Sequence, residues 1–189
     1  MPVSPAERLI VARTQLLVVD VQENLLPHVA EHENVLAQCV RMIRAAVVLE
    51  LPITLSEQYV RGLGATRAEI LAAAGEAGRY ERIEKLTFSV LRHDALRQRL
   101  VALGRPQVLI VGIEAHVCVQ QTALDLLELG LQPVVLADAV GSRRPADRAV
   151  ALERMRSAGV TVTTVEAAIF ELLERAGTEL FKRMLPIVR

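Results

Sequence analysis

Short, strongly apolar runs alternate with amphipathic helical patterns along the whole chain, and this alternation leaves few ways to bury the apolar surface. Strand-like runs fall at Gln15–Val19, Pro52–Ser56, Arg82–Glu84, Val108–Ile113, Pro133–Ala137 and Val160–Val165. Helical patterns lie between them, near Glu33–Leu49, Arg67–Ala74, Asp94–Leu103, Val117–Leu129 and Ala146–Ala158. Glu166–Arg175 and Thr178–Leu185 follow the last strand. A run such as Val108-Leu109-Ile110-Val111 is apolar at successive positions, as expected of a strand covered on both faces. Gly130 and Gly159 each stop a helix a few residues before the next strand. Repeated βα units predict an α/β fold in one domain over residues 1–189: a doubly wound parallel six-stranded sheet with helices on both faces.

The charge balance narrows the partners. Lys+Arg and Asp+Glu both number 22, so the formal net charge is zero, which argues against a general nucleic-acid or anionic-membrane binder. Aromatic residues make up 3% with no Trp, too few for a base-stacking surface. The partners that remain are a small-molecule substrate and further copies of the chain. No stretch approaches the ~20 apolar residues of a membrane span. Met1–Thr14 carries Glu7, Arg8 and Arg13 and has no long apolar core, so it does not read as a signal peptide. Cys39 and Cys118 cannot build a disulfide framework and suit a reducing cytosol, which predicts a cytoplasmic protein. The apolar tail Glu166–Val188 holds more apolar surface than a terminal element needs, which predicts a homo-oligomer.

Ligands of doubly wound sheets bind beyond the carboxyl ends of the strands, where strand order reverses. Three reactive side chains sit at such ends: Asp20 after Leu16-Leu17-Val18-Val19, Lys85 after Arg82-Ile83-Glu84, and Cys118 after the fourth strand. In the order 3-2-1-4-5-6, strands one and four flank the switch point, which brings Asp20 beside Cys118. Lys85 then has to reach in from the outer third strand. Cys118 stands where a helix begins, and the unpaired N–H groups there favour thiolate, the nucleophilic form. A small buried structural cysteine is the competing reading. A carboxylate in hydrogen-bond reach can take the thiol proton, and an ammonium stabilises thiolate and anionic intermediates.

Other residues carry weaker signals. The loop Glu57–Thr66, with two glycines, is either part of a site wall or a plain connection. His28 and His32 have a spacing that suits a metal on one helix face, but Pro27, Glu31 and Glu33 beside them favour a solvated helix start. His116 is a substrate contact or a packing residue. Cys39, beside Val40 and Ile43, reads as a buried small hydrophobe.

The segments Leu17-Val18-Val19-Asp20-Val21-Gln22, Ile83-Glu84-Lys85-Leu86-Thr87-Phe88-Ser89 and Val111-Gly112-Ile113-Glu114-Ala115-His116-Val117-Cys118-Val119 resemble those of the isochorismatase-like cysteine hydrolases. Leu136-Ala137-Asp138-Ala139-Val140-Gly141-Ser142-Arg143 resembles that family's segment after the fifth strand. The resemblance implies the strand order 3-2-1-4-5-6 and catalytic roles for Asp20, Lys85 and Cys118. It implies a non-proline cis peptide at Ile113–Glu114, and an oxyanion hole from the N–H groups of Glu114 and Cys118. It places Gln22 near the site, orienting Asp20 or binding substrate. Leu26, Tyr59 and His116 are the pocket-wall candidates. The Glu57-Gln58-Tyr59…Gly62-Leu63-Gly64 loop looks closest to a subgroup whose substrates are poorly defined.

Two departures matter. Nicotinamidases of this family carry an Asp/His metal cluster after the second strand, but Ser56–Thr66 contains neither residue, so no metal or cofactor is expected. True isochorismatases lack the cysteine, and Cys118 puts this chain on the amidase-like side. Glu114 replaces a residue that is often small, so its side chain either points away from the pocket or restricts it. The implied activity is hydrolysis of a small amide-type C–N bond through an acyl-enzyme on Cys118. Hydrolysis of an ester, ether or imine at the same site, or a non-catalytic small-molecule-binding protein that keeps the pocket, stay open as alternatives.

Overall fold

The apolar runs pair side by side as six parallel strands in the order β3-β2-β1-β4-β5-β6. The computed structural model describes residues 8–189 apart from Ala77 and Arg79. Half of the Met1–Thr14 segment read above, residues 1–7, lies outside the described residues. The strands are β1 Thr14–Val19, β2 Ile53–Gln58, β3 Glu81–Lys85, β4 Gln107–Ile113, β5 Gln132–Gly141 and β6 Thr161–Thr163. The helices are α1 His32–Val48, α2 Val60–Leu63, α3 Ala68–Gly75, α4 Asp94–Ala102, α5 Gln120–Glu128, α6 Pro145–Ser157, α7 Val165–Leu173 and α8 Glu179–Val188.

Two cores cover the two faces of this sheet. Leu16, Val18, Leu109, Val111, Val134 and Leu136 point into the core under α1, α3, α7 and α8. Their neighbours Leu17, Val19, Val108, Ile110 and Val135 point into the core under α4, α5 and α6. The period-two alternation of strand side chains thus feeds both layers, which is why the runs are apolar throughout. The last two helices start at threonine caps: Thr164 and Thr178 accept from the N–H groups of Ala167 and Phe181.

Two expectations change. The segment Glu57–Thr66 is not one irregular loop: Glu57 and Gln58 complete β2, and Val60–Leu63 forms a helical turn. Buried Glu57 holds this segment by accepting from the backbone N–H and hydroxyl of Thr66, both at 2.7 Å. The apolar tail is largely spent within its own domain. Ile169, Leu172, Leu173 and Met184 are buried, and Leu180, Phe181, Ile187 and Val188 pack against the same core. The tail therefore offers less free surface for oligomerisation than expected, with Phe170 exposed and the last four only partly buried. His28 ends a 3-10 turn and His32 opens α1, in keeping with the solvated loop or helix start expected of the pair. Among the described residues, no helix is long and apolar enough to cross a membrane.

Candidate active site

Asp20 is the first residue beyond β1 and turns out of the strand with a left-handed φ of 52°. Its backbone N–H donates to the Ser56 carbonyl at 3.1 Å, which ties the turn to β2. Its carboxylate is fully buried and doubly engaged: Oδ1 accepts from Ser56 Oγ at 2.7 Å, and Oδ2 accepts from Lys85 Nζ at 2.7 Å. Lys85 closes the edge strand β3, in register with Gln58 of β2, and its stem crosses behind β2 to reach Asp20. A buried ammonium is costly unless its protons are taken up. Here Nζ also donates to Gln58 Oε1 at 2.7 Å and to the carbonyls of Phe88 at 3.1 Å and Thr87 at 3.2 Å.

Cys118 comes from the far side of the switch point. After β4, the Ile113–Glu114 peptide is cis, and one turn of π-helix, Ala115–Val119, leads into α5. Cys118 lies in that turn, 5% exposed, with Sγ 3.7 Å from Lys85 Nζ. The three side chains thus meet in one buried cluster.

The electrostatics reverse one expectation. Burial first, then the charge of Asp20, push the Cys118 thiol up to about 12, against the opposing pull of Lys85. The cluster at rest therefore holds a thiol, not the thiolate expected at a helix N-terminus. The reason is positional: Cys118 sits buried inside the turn before α5 and next to a carboxylate, and both favour the neutral thiol.

The remaining predicted residues separate. Gln22 is buried, and its amide is spent on backbone: Nε2 donates to Gln58 O at 2.9 Å and Gly64 O at 2.7 Å, and Oε1 accepts from Gln58 N at 2.7 Å. It clamps the end of β2 and does not touch Asp20 through these bonds. Leu26 is buried on the opposite face, in the core under α1. Tyr59 is half exposed, its backbone N–H bound to the Lys85 carbonyl at 3.0 Å. Glu114 turns its carboxylate to Arg143, accepting from the backbone N–H and from Nε, both at 2.9 Å. His116 Nδ1 lies 3.0 Å from Ser142 Oγ, and its ring lines a cavity of about 420 Å³ with Arg143, Arg144 and Asp147. Among the described residues, no three His, Cys, Asp or Glu side chains gather as a metal-ligand group.

Ser56 and Gln58 are the functional candidates that sequence reasoning missed. Their signal is two polar residues, two apart, on one face at the carboxyl end of a strand buried throughout.

Similarity to known proteins agrees with this geometry. The isochorismatase domain family matches residues 14–167. Isochorismatase domain-containing protein 2 of Pongo abelii is 40% identical over 177 residues, covering 92% of this chain and 82% of the relative. The secreted isochorismatase effector Isc1 of Phytophthora sojae is 37% identical over 183 residues, covering 96% and 87%. Among solved structures, the MAR1 ribonuclease of Caenorhabditis elegans superposes with a TM-score of 0.90 at 34% identity, covering 96% of this chain and 92% of that one. The YcaC gene product of Escherichia coli, described as an octameric hydrolase of unknown specificity, gives 0.88 at 25% identity, covering 99% and 95%.

Proposed function

Since this chain belongs to the isochorismatase family, we propose that it is a cysteine-dependent hydrolase of a small amide-type substrate, with Asp20, Lys85 and Cys118 as its catalytic residues. The observation that carries this reading is the buried junction at Lys85 Nζ, 2.7 Å from Asp20 Oδ2 and 3.7 Å from Cys118 Sγ. A scaffold gains nothing from such a cluster, because burying charge costs stability.

Asp20 takes the thiol proton as Sγ attacks the substrate carbonyl. The tetrahedral oxyanion is held by the N–H groups of Glu114 and Cys118, where each donor contributes ~3–4 kcal/mol in comparable sites. On collapse, Asp20 returns the proton to the leaving amine. Water then attacks the thioester, giving up a proton to Asp20, which passes it back to the departing sulfur. The resting thiol, pushed up to about 12, gives this scheme its need for a base in contact. Lys85 keeps a positive charge beside sulfur and carboxylate through both half-reactions.

The nematode relative's name raises RNA as a substrate. A formal net charge of zero and 3% aromatic residues do not favour it here. The two unpaired cysteines fit a reducing compartment such as the cytosol, although one relative is named as secreted. The octameric relative supports a homo-oligomer. The test is ammonia release over a panel of small amides, with Cys118→Ala as control. Turnover that disappears with Cys118→Ala and survives chelation supports the reading; turnover unaffected by Cys118→Ala overturns it.

A further inference from the structure

We propose that Gln58 is a positioning residue for Lys85, its side-chain oxygen holding the ammonium at the junction of Asp20 and Cys118. The proposal rests on the reading of those three residues as the reactive cluster.

The amide of Gln58 has one orientation that satisfies its surroundings. Oε1 accepts from Lys85 Nζ at 2.7 Å, and Nε2 donates to the Leu86 carbonyl at 2.9 Å. The backbone of Gln58 is itself clamped on both sides by Gln22, at 2.7 Å and 2.9 Å. The oxygen is therefore fixed to the sheet and not to a mobile loop. An ammonium has three protons and no rigidity of its own at the end of a four-carbon stem. Phe88 and Thr87 offer only longer bonds, at 3.1 Å and 3.2 Å, so beside Asp20 it is the short bond to a clamped acceptor that defines where Nζ stands relative to sulfur.

The neutrality of that acceptor matters as much as its place. Asp20 and Lys85 balance each other, so the buried cluster carries no net charge while the thiol is protonated. A carboxylate in place of the amide adds a second negative charge beside the ammonium and disfavours thiolate. That carboxylate stands one 2.7 Å bond beyond Nζ, itself 3.7 Å from sulfur, and a like charge so near raises the thiol pKa, here by at least about one unit. Each unit lowers the thiolate fraction about tenfold, offset about threefold by the greater intrinsic nucleophilicity of a more basic thiol.

The readout is the second-order rate of iodoacetamide labelling at Cys118, followed by peptide mass from pH 7 to about pH 10. It needs no knowledge of the substrate. Gln58→Met removes the acceptor and keeps the length. We expect it to slow labelling in the native background and to have no further effect in a Lys85→Met background, the sign of action through Lys85. Gln58→Glu keeps the acceptor and is expected to slow labelling at least about threefold. Both variants lose the bond to Leu86, so a purely structural role moves thermal stability alike in both and acts equally in either background. Equal factors in the two backgrounds, or no effect in the native one, overturn the proposal alone. A Lys85→Met rate equal to that of the native protein removes Lys85 from the cluster, and the proposal falls with it.

Discussion

Gly112 lies directly against the backbone of Val19: a Cβ at Gly112 would stand 2.0 Å from the Val19 carbonyl oxygen and 2.7 Å from its nitrogen. The pair is in register across β1 and β4, one residue before Asp20 and one before the cis peptide. Gly112 also has a φ of 118°, which a side chain disfavours. This close approach brings the two halves of the cluster together at the switch point.

Gly112→Ala is therefore expected to destabilise the protein by at least about 3 kcal/mol, because the clash is with backbone and no rotamer change relieves it. Chemical denaturation measures this directly. A loss below about 1 kcal/mol contradicts the role given to the glycine.

Cys118 is expected to label with iodoacetamide before Cys39 in the native protein. Burial pushes both thiols up to about 12, so the difference comes from access and not from a low resting pKa. Cys39 is fully buried and donates to the Ala139 carbonyl at 3.2 Å, whereas Cys118 has some exposure and an ammonium nearby. The labelling rate should climb steadily from pH 7 to pH 10 without a plateau. Peptide mapping that found Cys39 first, or a plateau near neutral pH, would count against the assignment.

The same two thiols make stability fall at high pH. Each folded pKa is raised above its ordinary value of 9.0, so the folded state retains protons that the unfolded chain has lost. This stabilisation is complete below about pH 9 and is lost as pH rises toward 12, at up to about 1.4 kcal/mol per unit for each thiol. Cys39→Ala should flatten the fall in unfolding free energy between pH 9 and pH 11 relative to the native protein. An unchanged slope would mean that Cys39 is not the group responsible.

Asp20 and Lys85 should act on the thiol in opposite directions. Asp20→Asn removes the charge that pushes the thiol up, so labelling of Cys118 accelerates, while turnover falls toward the upper end of ~10²–10⁴-fold. Lys85→Met removes the opposing charge, so labelling slows and turnover is lost. It also strands a buried carboxylate and is expected to cost about 3–5 kcal/mol of stability. Labelling that shifts the same way in both variants would break this division of roles.

Self-association is a further expectation, about the whole molecule. Its physical ground is the set of exposed apolar side chains on the described surface, led by Leu86 at 71% and Val150 at 68%, together with the octameric relative. Light scattering at micromolar concentration should give a multiple of 20.7 kDa, and a monomer mass would refute the oligomer.

The parallel-sheet pattern and the three side chains at its carboxyl edge are readable from the chain alone, because each rests on a local signal. The strand order follows only from resemblance to a family, since strand pairing is not local. A doubly covered strand must be apolar at every position, and a reactive side chain at its end stands out against that run. Asp20, Lys85 and Cys118 all show themselves in this way. Only the tertiary structure decided what surrounds them. Ser56 and Gln58 become partners of Asp20 and Lys85 through the register of β1, β2 and β3, which no single segment encodes. Gln22, two residues from Asp20 in sequence, spends its amide on β2 instead. The tail looks like an interface until α8 is seen packed on the core under α1. The sign of the thiol shift is the clearest case. A helix start argues for thiolate, but desolvation and the field of Asp20 depend on everything packed around sulfur, and both favour the thiol.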